Sequence, residues 1–165
     1  MKITPGGRQE LIVQGLGQRP ENTLDLFLGT LPNGLAFAAN GDILITNFDT
    51  DRLEVMTRSG QARVLCETID GMPLGKVNFV LRDSKNRIWI TVSTKVNPWS
   101  DALRPDLADG SIALFDERGL RIVADGLHFT NEIRMDANEG WLYVAETTAK
   151  CVSRFKVGID GSLTN

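Results

Sequence analysis

Three segments of this chain follow one pattern, and that pattern restricts the fold more than any other feature. The first is Pro32-Asn33-Gly34-Leu35-Ala36-Phe37, followed after a polar turn by Ile43-Leu44-Ile45-Thr46. The second is Val77-Asn78-Phe79-Val80-Leu81, then Ile88-Trp89-Ile90-Thr91. The third is Thr130-Asn131-Glu132-Ile133-Arg134-Met135, then Trp141-Leu142-Tyr143-Val144-Ala145. Each has an asparagine, a partly alternating strand, a polar turn and a more continuous apolar strand. The asparagines are 45 residues (78 minus 33) and 53 residues (131 minus 78) apart. Periods of this length, filled with short strands, indicate propeller blades.

The rest of each repeat completes a four-stranded antiparallel meander. Arg52-Leu53-Glu54-Val55-Met56 leads through Ser59-Gly60 to Ala62-Arg63-Val64-Leu65, and Ser111-Ile112-Ala113-Leu114-Phe115 leads through Gly119 to Leu120-Arg121-Ile122-Val123. The third repeat supplies Cys151-Val152-Ser153-Arg154-Phe155 and the turn Asp160-Gly161. Glycine-bearing turns between short β-branched and aromatic runs are hairpin signals. The reading is therefore all-β: a β-propeller with about three four-stranded blades in one partial domain, 1–165. Blades are expected at 31–66, 75–125 and 129–165. Residues 1–30 form an N-terminal segment in which Leu24 to Thr30 looks like the last strand of a preceding blade. Residues 95–109, with Pro98 and Pro105, read as a long loop inserted in the second blade. At each blade crossing the chain passes from an outer strand to an asparagine, so the asparagines are expected to ring the mouth of a central channel.

With 165 residues, 42% of them hydrophobic and 24% charged, the chain can bury one ordinary core. A net charge of −3 gives no electrostatic bias toward nucleic acid or anionic lipid. No apolar run approaches the roughly 20 residues that span a bilayer. The segment Met1 to Gly7 lacks the apolar stretch of a signal peptide, so a cytoplasmic address is expected. Cys66 and Cys151 sit in apolar runs and are expected to be reduced and at least partly buried; their spacing supports neither a disulfide nor a zinc site. There is no P-loop, nucleophile elbow or dinucleotide fingerprint.

Pro32-Asn33-Gly34-Leu35-Ala36-Phe37, Gly75-Lys76-Val77-Asn78-Phe79-Val80, Thr130-Asn131-Glu132-Ile133 and Trp141-Leu142-Tyr143-Val144-Ala145-Glu146 together resemble the SMP-30/gluconolactonase/luciferin-regenerating family, over roughly residues 19 to 163. The resemblance implies a six-bladed ring close to twice this length in complete members. It also implies metal-dependent hydrolysis of lactones, with the metal at the channel mouth. Carried over by position, Asn78 and Asn131 stand at the asparagine ligands, and Arg19-Pro20-Glu21 resembles the motif that carries the glutamate. Only 11 residues, 22 to 32, separate Glu21 from Asn33, so either a blade is missing there or Glu21 is not the ligand. The family's aspartate, its usual general base, is expected about one blade after Asn131. The catalytic base in this chain is thus unassigned.

Amide and carboxylate oxygens suit hard cations, Ca²⁺ foremost, with Mg²⁺, Mn²⁺ or Zn²⁺ as alternatives. With little negative charge at hand, weak metal affinity is expected. Asn33, His128 and Trp99 are the candidates for substrate contact. Asn33 could equally cap a turn, and His128 could be a solvated loop residue. Asn97, Trp99 and Asp101 belong to a loop that is either a lid or an ordinary insertion. Three functions follow. The first is a metal-dependent lactone hydrolase, possibly incomplete. The second is a non-enzymatic propeller binding small molecules or proteins. The third is another activity on the same scaffold, such as phosphotriester hydrolysis or a condensation of the strictosidine-synthase kind. The three-blade count also allows two chains to pair as a homodimer that completes the ring.

Overall fold

The computed structural model describes residues 2, 3, 5–10 and 30–165. A short ribbon pairs β1 (Lys2–Ile3) with β2 (Gln9–Glu10). The first blade contains β3 (Pro32–Phe37), β4 (Ile43–Asn47), β5 (Arg52–Met56) and β6 (Ala62–Cys66). A small hairpin, β7 (Thr68–Ile69) with β8 (Met72–Pro73), links it to the second blade. That blade contains β9 (Val77–Arg82), β10 (Ile88–Val92), β11 (Gly110–Asp116) and β12 (Gly119–Leu127). The third contains β13 (Thr130–Met135), β14 (Trp141–Glu146), β15 (Cys151–Val157) and β16 (Leu163–Thr164). In every blade the strands lie in chain order and pair antiparallel, the meander expected from the repeats. Among the described residues the one helical piece is the single 3-10 turn Trp99–Ala102. No helix there is long and apolar enough to cross a membrane. The strand remnant read at Leu24 to Gly29 lies outside the described residues.

The blades share one register. Pro32 pairs with Asn47, Val77 with Val92 and Thr130 with Glu146 at the head of each inner pair. Asn33, Asn78 and Asn131 each follow that head residue, so they hold one position on three neighbouring inner strands. The alternation of strand side chains then sends one set of residues toward each neighbouring blade. Leu44, Leu53 and Val55 meet Val77, Val80, Ile90, Val92 and Ala113 between the first two blades. Trp89, Ile112 and Leu114 meet Ile133, Leu142, Val144 and Phe155 between the second and third. Most of these are fully buried. Each large one contributes about 1.5–3 kcal/mol by leaving water.

Hydroxyls tie the seams at their inner edge. Thr46 Oγ1 accepts the Gly34 N–H at 2.9 Å and donates to the Asn78 carbonyl at 2.7 Å. Thr91 Oγ1 repeats the arrangement one blade later, accepting from Phe79 N at 3.0 Å and donating to the Asn131 carbonyl at 2.7 Å. The inner strands of the first two blades approach so closely that a Cβ on Gly34 would lie 2.7 Å from Phe79 Cα, which is why glycine stands there. In the third blade the threonine position is Ala145, and the neighbouring strand replaces Leu114 by Arg154, stacked on Trp141 at 4.7 Å. That outer face mixes the charged Glu132, Arg134 and Arg154 with Tyr143 and the exposed Val152. On the opposite side, the first blade exposes Leu35, Phe37 and Val64.

Candidate active site

At the heads of the inner strands the asparagines form part of a relay across the blades. Asn33 Nδ2 donates to Asn78 Oδ1 at 2.9 Å, and Asn78 Nδ2 donates to Ser93 Oγ at 2.9 Å. Ser93 Oγ then donates to the Thr130 carbonyl at 2.6 Å, while Thr130 Oγ1 returns a bond to the Val92 carbonyl at 2.7 Å. Asn78 is buried, so each bond compensates a desolvated polar atom. Asn131 is exposed; its Nδ2 reaches Thr147 Oγ1 at 3.4 Å, the counterpart of the Asn78–Ser93 bond. In the first blade the counterpart of Ser93 is Phe48, which has no hydroxyl, and Asn33 turns to Asn78 instead.

Beside Asn131 lies a second polar group. Glu146, buried at the end of β14, accepts the His128 backbone N–H at 2.8 Å and faces His128 Nδ1 at 3.3 Å through Oε2. Its Oε1 accepts from Ser153 Oγ in a short bond and lies 3.9 Å from Cys151 Sγ. Burial pushes the Glu146 carboxyl up, but the hydrogen bonds from Ser153 and His128 outweigh it and hold the group below the usual glutamate range. Three other acids at this end are also engaged. Asp109 Oδ2 accepts from Thr94 Oγ1 at 2.7 Å and Lys95 N at 2.8 Å. Asp51 pairs with Lys76 at 3.0 Å, and Glu132 with Arg134 at 2.6 Å.

The inserted loop is clamped over this end. Trp99 packs edge-on against Phe48 at 5.6 Å and tilted against Phe129 at 6.3 Å, with Ala102 buried beneath. Phe129 takes a left-handed φ of 50°, a costly conformation for a bulky residue. The turn sends its ring to Trp99 while the preceding His128 goes to Glu146.

Asn33, Asn78 and Asn131 thus fall on one row, His128 lies three residues before it, and Trp99 anchors the loop. Glu21 lies outside the described residues. Cys66 and Cys151 are free thiols, but Cys151 is exposed, against expectation, because it opens β15 at the rim beside the β14–β15 turn. Ser93, Glu146 and Lys76 belong to the site and were not singled out in the sequence. Ser93 carries a signal in hindsight, being the hydroxyl one residue past the head pair Val77–Val92. For a hard cation, the row offers amide oxygens: Asn131 Oδ1, and Asn78 Oδ1 with the lone pair that Asn33 leaves open. The donor type fits. The charge does not come from this row, and among the described residues no three His, Cys, Asp or Glu side chains form a metal-binding group.

Fold and site define a β-propeller whose inner strands present an asparagine row at one end. The sequence matches the SMP-30/Gluconolactonase/LRE-like region over residues 14–165, and the chain belongs to that family. Curated protein sequences give no match. Among solved structures it is similar to a gluconolactonase of Xanthomonas campestris, at 24% identity and TM-score 0.69, with 82% of this chain covering 47% of that one. It is also similar to a luciferin-regenerating enzyme, at 12% identity and TM-score 0.66, with 82% covering 46%. A virginiamycin B lyase of Staphylococcus aureus aligns at 18% identity and TM-score 0.59, with 83% covering 41%. At these identities the likeness concerns the fold alone, and the chain spans about half the length of these relatives.

Proposed function

We propose that this chain carries part of the active site of a lactone hydrolase of the gluconolactonase kind, with the lactone carbonyl seated at the asparagine row. The observation that supports this most is the placement of Asn78 and Asn131 at one register position of adjacent inner strands in a chain of this family. Asn78 is held rigid at both ends of its amide, so it orients its neighbours; Asn131 is exposed and free to meet a ligand through its amide oxygen. Asn33 steadies Asn78, and Trp99 limits access from the loop side. A hard divalent cation held by Asn131 and Asn78, with a carboxylate such as Glu21, would polarise the carbonyl and stabilise the oxyanion that develops on it. Because the row itself is neutral, the described residues favour weak binding of that cation.

The engagement of Asp51, Asp109, Glu132 and Glu146 in other contacts supports a second reading, a non-enzymatic propeller that binds small molecules at the same mouth. A panel of aldonolactones, followed by acid release with Ca²⁺, Mn²⁺ or Zn²⁺ added and with chelator, separates the two. Metal-stimulated turnover that Asn131→Ala abolishes supports the hydrolase. Lactone binding by calorimetry without turnover under any metal supports the binding module.

A further inference from the structure

The strand register continues one step beyond the head pairs. Phe48 N donates to the Leu31 carbonyl at 3.0 Å, Ser93 N to that of Lys76 at 2.8 Å and Thr147 N to that of Phe129 at 3.1 Å, so one bond recurs in all three blades. This layer borders the asparagine row, because Ser93 and Thr147 carry the hydroxyls that meet Asn78 and Asn131. Trp99 packs on two of its members, Phe48 at 5.6 Å and Phe129 at 6.3 Å. Phe129 precedes Asn131 by two residues, about 7 Å of extended strand. The loop that carries Trp99 also leaves from the layer: it follows Ser93, and Thr94 Oγ1 and Lys95 N close its base on Asp109 at 2.7 and 2.8 Å. A closed base and two aromatic contacts thus fix the indole at the end where Asn33 and Asn131 are exposed.

The surface offered there is apolar. Trp99 keeps 36% of its exposure, and Leu103, at the end of the same turn, keeps 50%. Among the described residues the indole N–H has no hydrogen-bond partner. The carboxylates of this end are already engaged, Asp51 by Lys76, Asp109 by Thr94 and Lys95, and Glu146 by Ser153 and His128. A sugar lactone needs a partner for each hydroxyl it buries. An alkyl or aryl substituent needs none and is favoured by leaving water against the indole.

We propose that Trp99 and Leu103 form a subsite for an apolar substituent, so that the lactone this chain selects carries an alkyl or aryl chain in place of sugar hydroxyls. Turnover of such a lactone rests on the lactone-hydrolase reading; binding of its substituent does not. With the carbonyl at Asn131, the substituent extends past Phe129 to the indole. Each methylene fully buried there strengthens binding about fourfold.

The test compares γ-butyrolactone, γ-lactones bearing butyl and hexyl chains, and glucono-δ-lactone, each with Ca²⁺ or Mn²⁺ added. From the unsubstituted to the hexyl lactone, kcat/KM is expected to rise by about 10–100-fold, the effect of partial burial of the chain, and to exceed that for gluconolactone. Trp99→Ala and Leu103→Asp should each flatten the rise. Leu103 is half exposed, so Leu103→Asp leaves the packing beneath the loop in place. Binding is read separately, with chelator present, from tryptophan fluorescence. The hexyl lactone is expected to shift the emission to the blue, and Trp99→Phe to remove the shift, which assigns it among the three tryptophans. Turnover that favours gluconolactone, or that ignores chain length, overturns the substrate class and leaves the hydrolase reading standing. No turnover on any lactone, with a saturable Trp99 signal that tightens with chain length, overturns the hydrolase reading and leaves the apolar subsite standing. Absence of both turnover and signal overturns both.

Discussion

Asn33 Nδ2 donates to Asn78 Oδ1 at 2.9 Å, joining side chains 45 residues apart in sequence and one blade apart in space. The bond makes the two asparagines unequal. Asn78 is buried and bonded at both ends of its amide, whereas Asn33 is exposed. Asn78→Ala removes the partners of Asn33 and of the Ser93 hydroxyl, and is expected to cost about 1–3 kcal/mol. Asn33→Ala removes one donor to Asn78 Oδ1 from an exposed residue and leaves the Asn78–Ser93 bond in place, so it is expected to cost less, about 0.5–1.5 kcal/mol. Urea unfolding of the two variants measures the difference; equal losses would contradict the asymmetry.

The seam hydroxyls make a second prediction. Thr46 and Thr91 each join a strand N–H of their own blade to a carbonyl of the next blade. Valine keeps the shape and removes both bonds, leaving a buried N–H and a buried carbonyl short of a partner at Thr46 and a half-buried pair at Thr91. Each Thr→Val change is expected to destabilise by about 1–3 kcal/mol. The exposure should be local. In native-state hydrogen exchange, Thr46→Val should speed exchange at Gly34, and Thr91→Val at Phe79. A change spread evenly over all blades would count against the seam assignment.

What the sequence made legible follows from which features recur. The asparagines stood out because the register repeats: each sits one residue past the head pair of its blade. The seam threonines recur too, but only twice, since Ala145 interrupts the series. The Phe48–Trp99–Phe129 cluster has no repeat to betray it. Its rings come from three separate connections, and only the packing of the blades brings them together. Glu146 closes the strand Trp141–Glu146, and its counterparts Asn47 and Val92 carry no carboxylate, so no repeat marks it. Nothing in its local sequence links it to His128, which reaches it from the other side of a blade crossing. Patterns that recur in every blade are visible in one dimension, whereas contacts between connections are not.

The two thiols should behave differently. Cys66 packs against the first core, and burial pushes its pKa up to about 11. An ordinary thiol has a pKa of about 8.5. At about pH 8 the thiolate fraction of Cys66 is therefore lower by roughly two orders of magnitude. Cys151 is exposed at the rim. Iodoacetamide on the native protein is expected to label Cys151 first and Cys66 only after denaturant is added, as read by mass spectrometry of the peptides. Equal labelling in the native state would mean that Cys66 is reached by solvent.

The last prediction concerns the acid limb of stability. Asp83 is buried in the turn before β10, where it accepts from Trp89 Nε1 at 2.9 Å, Arg87 Nε at 2.6 Å and the backbone N–H groups of Lys85 and Arg87 at 2.9 Å. Arg87 also lies over the Trp89 ring at 5.2 Å. Burial pushes the Asp83 carboxyl up, but the hydrogen bonds from Trp89 and Arg87 and the charge of Arg87 prevail and hold it below the usual aspartate range. A carboxyl depressed in the folded state binds its proton more tightly when unfolded. Its stabilisation is therefore complete above the unfolded value, about 3.9, and is lost as pH falls from there through the folded value. Asp83→Ala strands Arg87 and the indole N–H and is expected to cost about 3–5 kcal/mol at neutral pH. Asp83→Asn keeps the shape, loses the charge and should flatten the fall in stability with acid, since one fewer group takes up a proton on unfolding. Urea midpoints of wild type and Asp83→Asn, followed from neutral pH down to about pH 3, measure this. Parallel curves would show that Asp83 titrates alike in the folded and unfolded chain, and that its contacts hold the turn without favouring its charge.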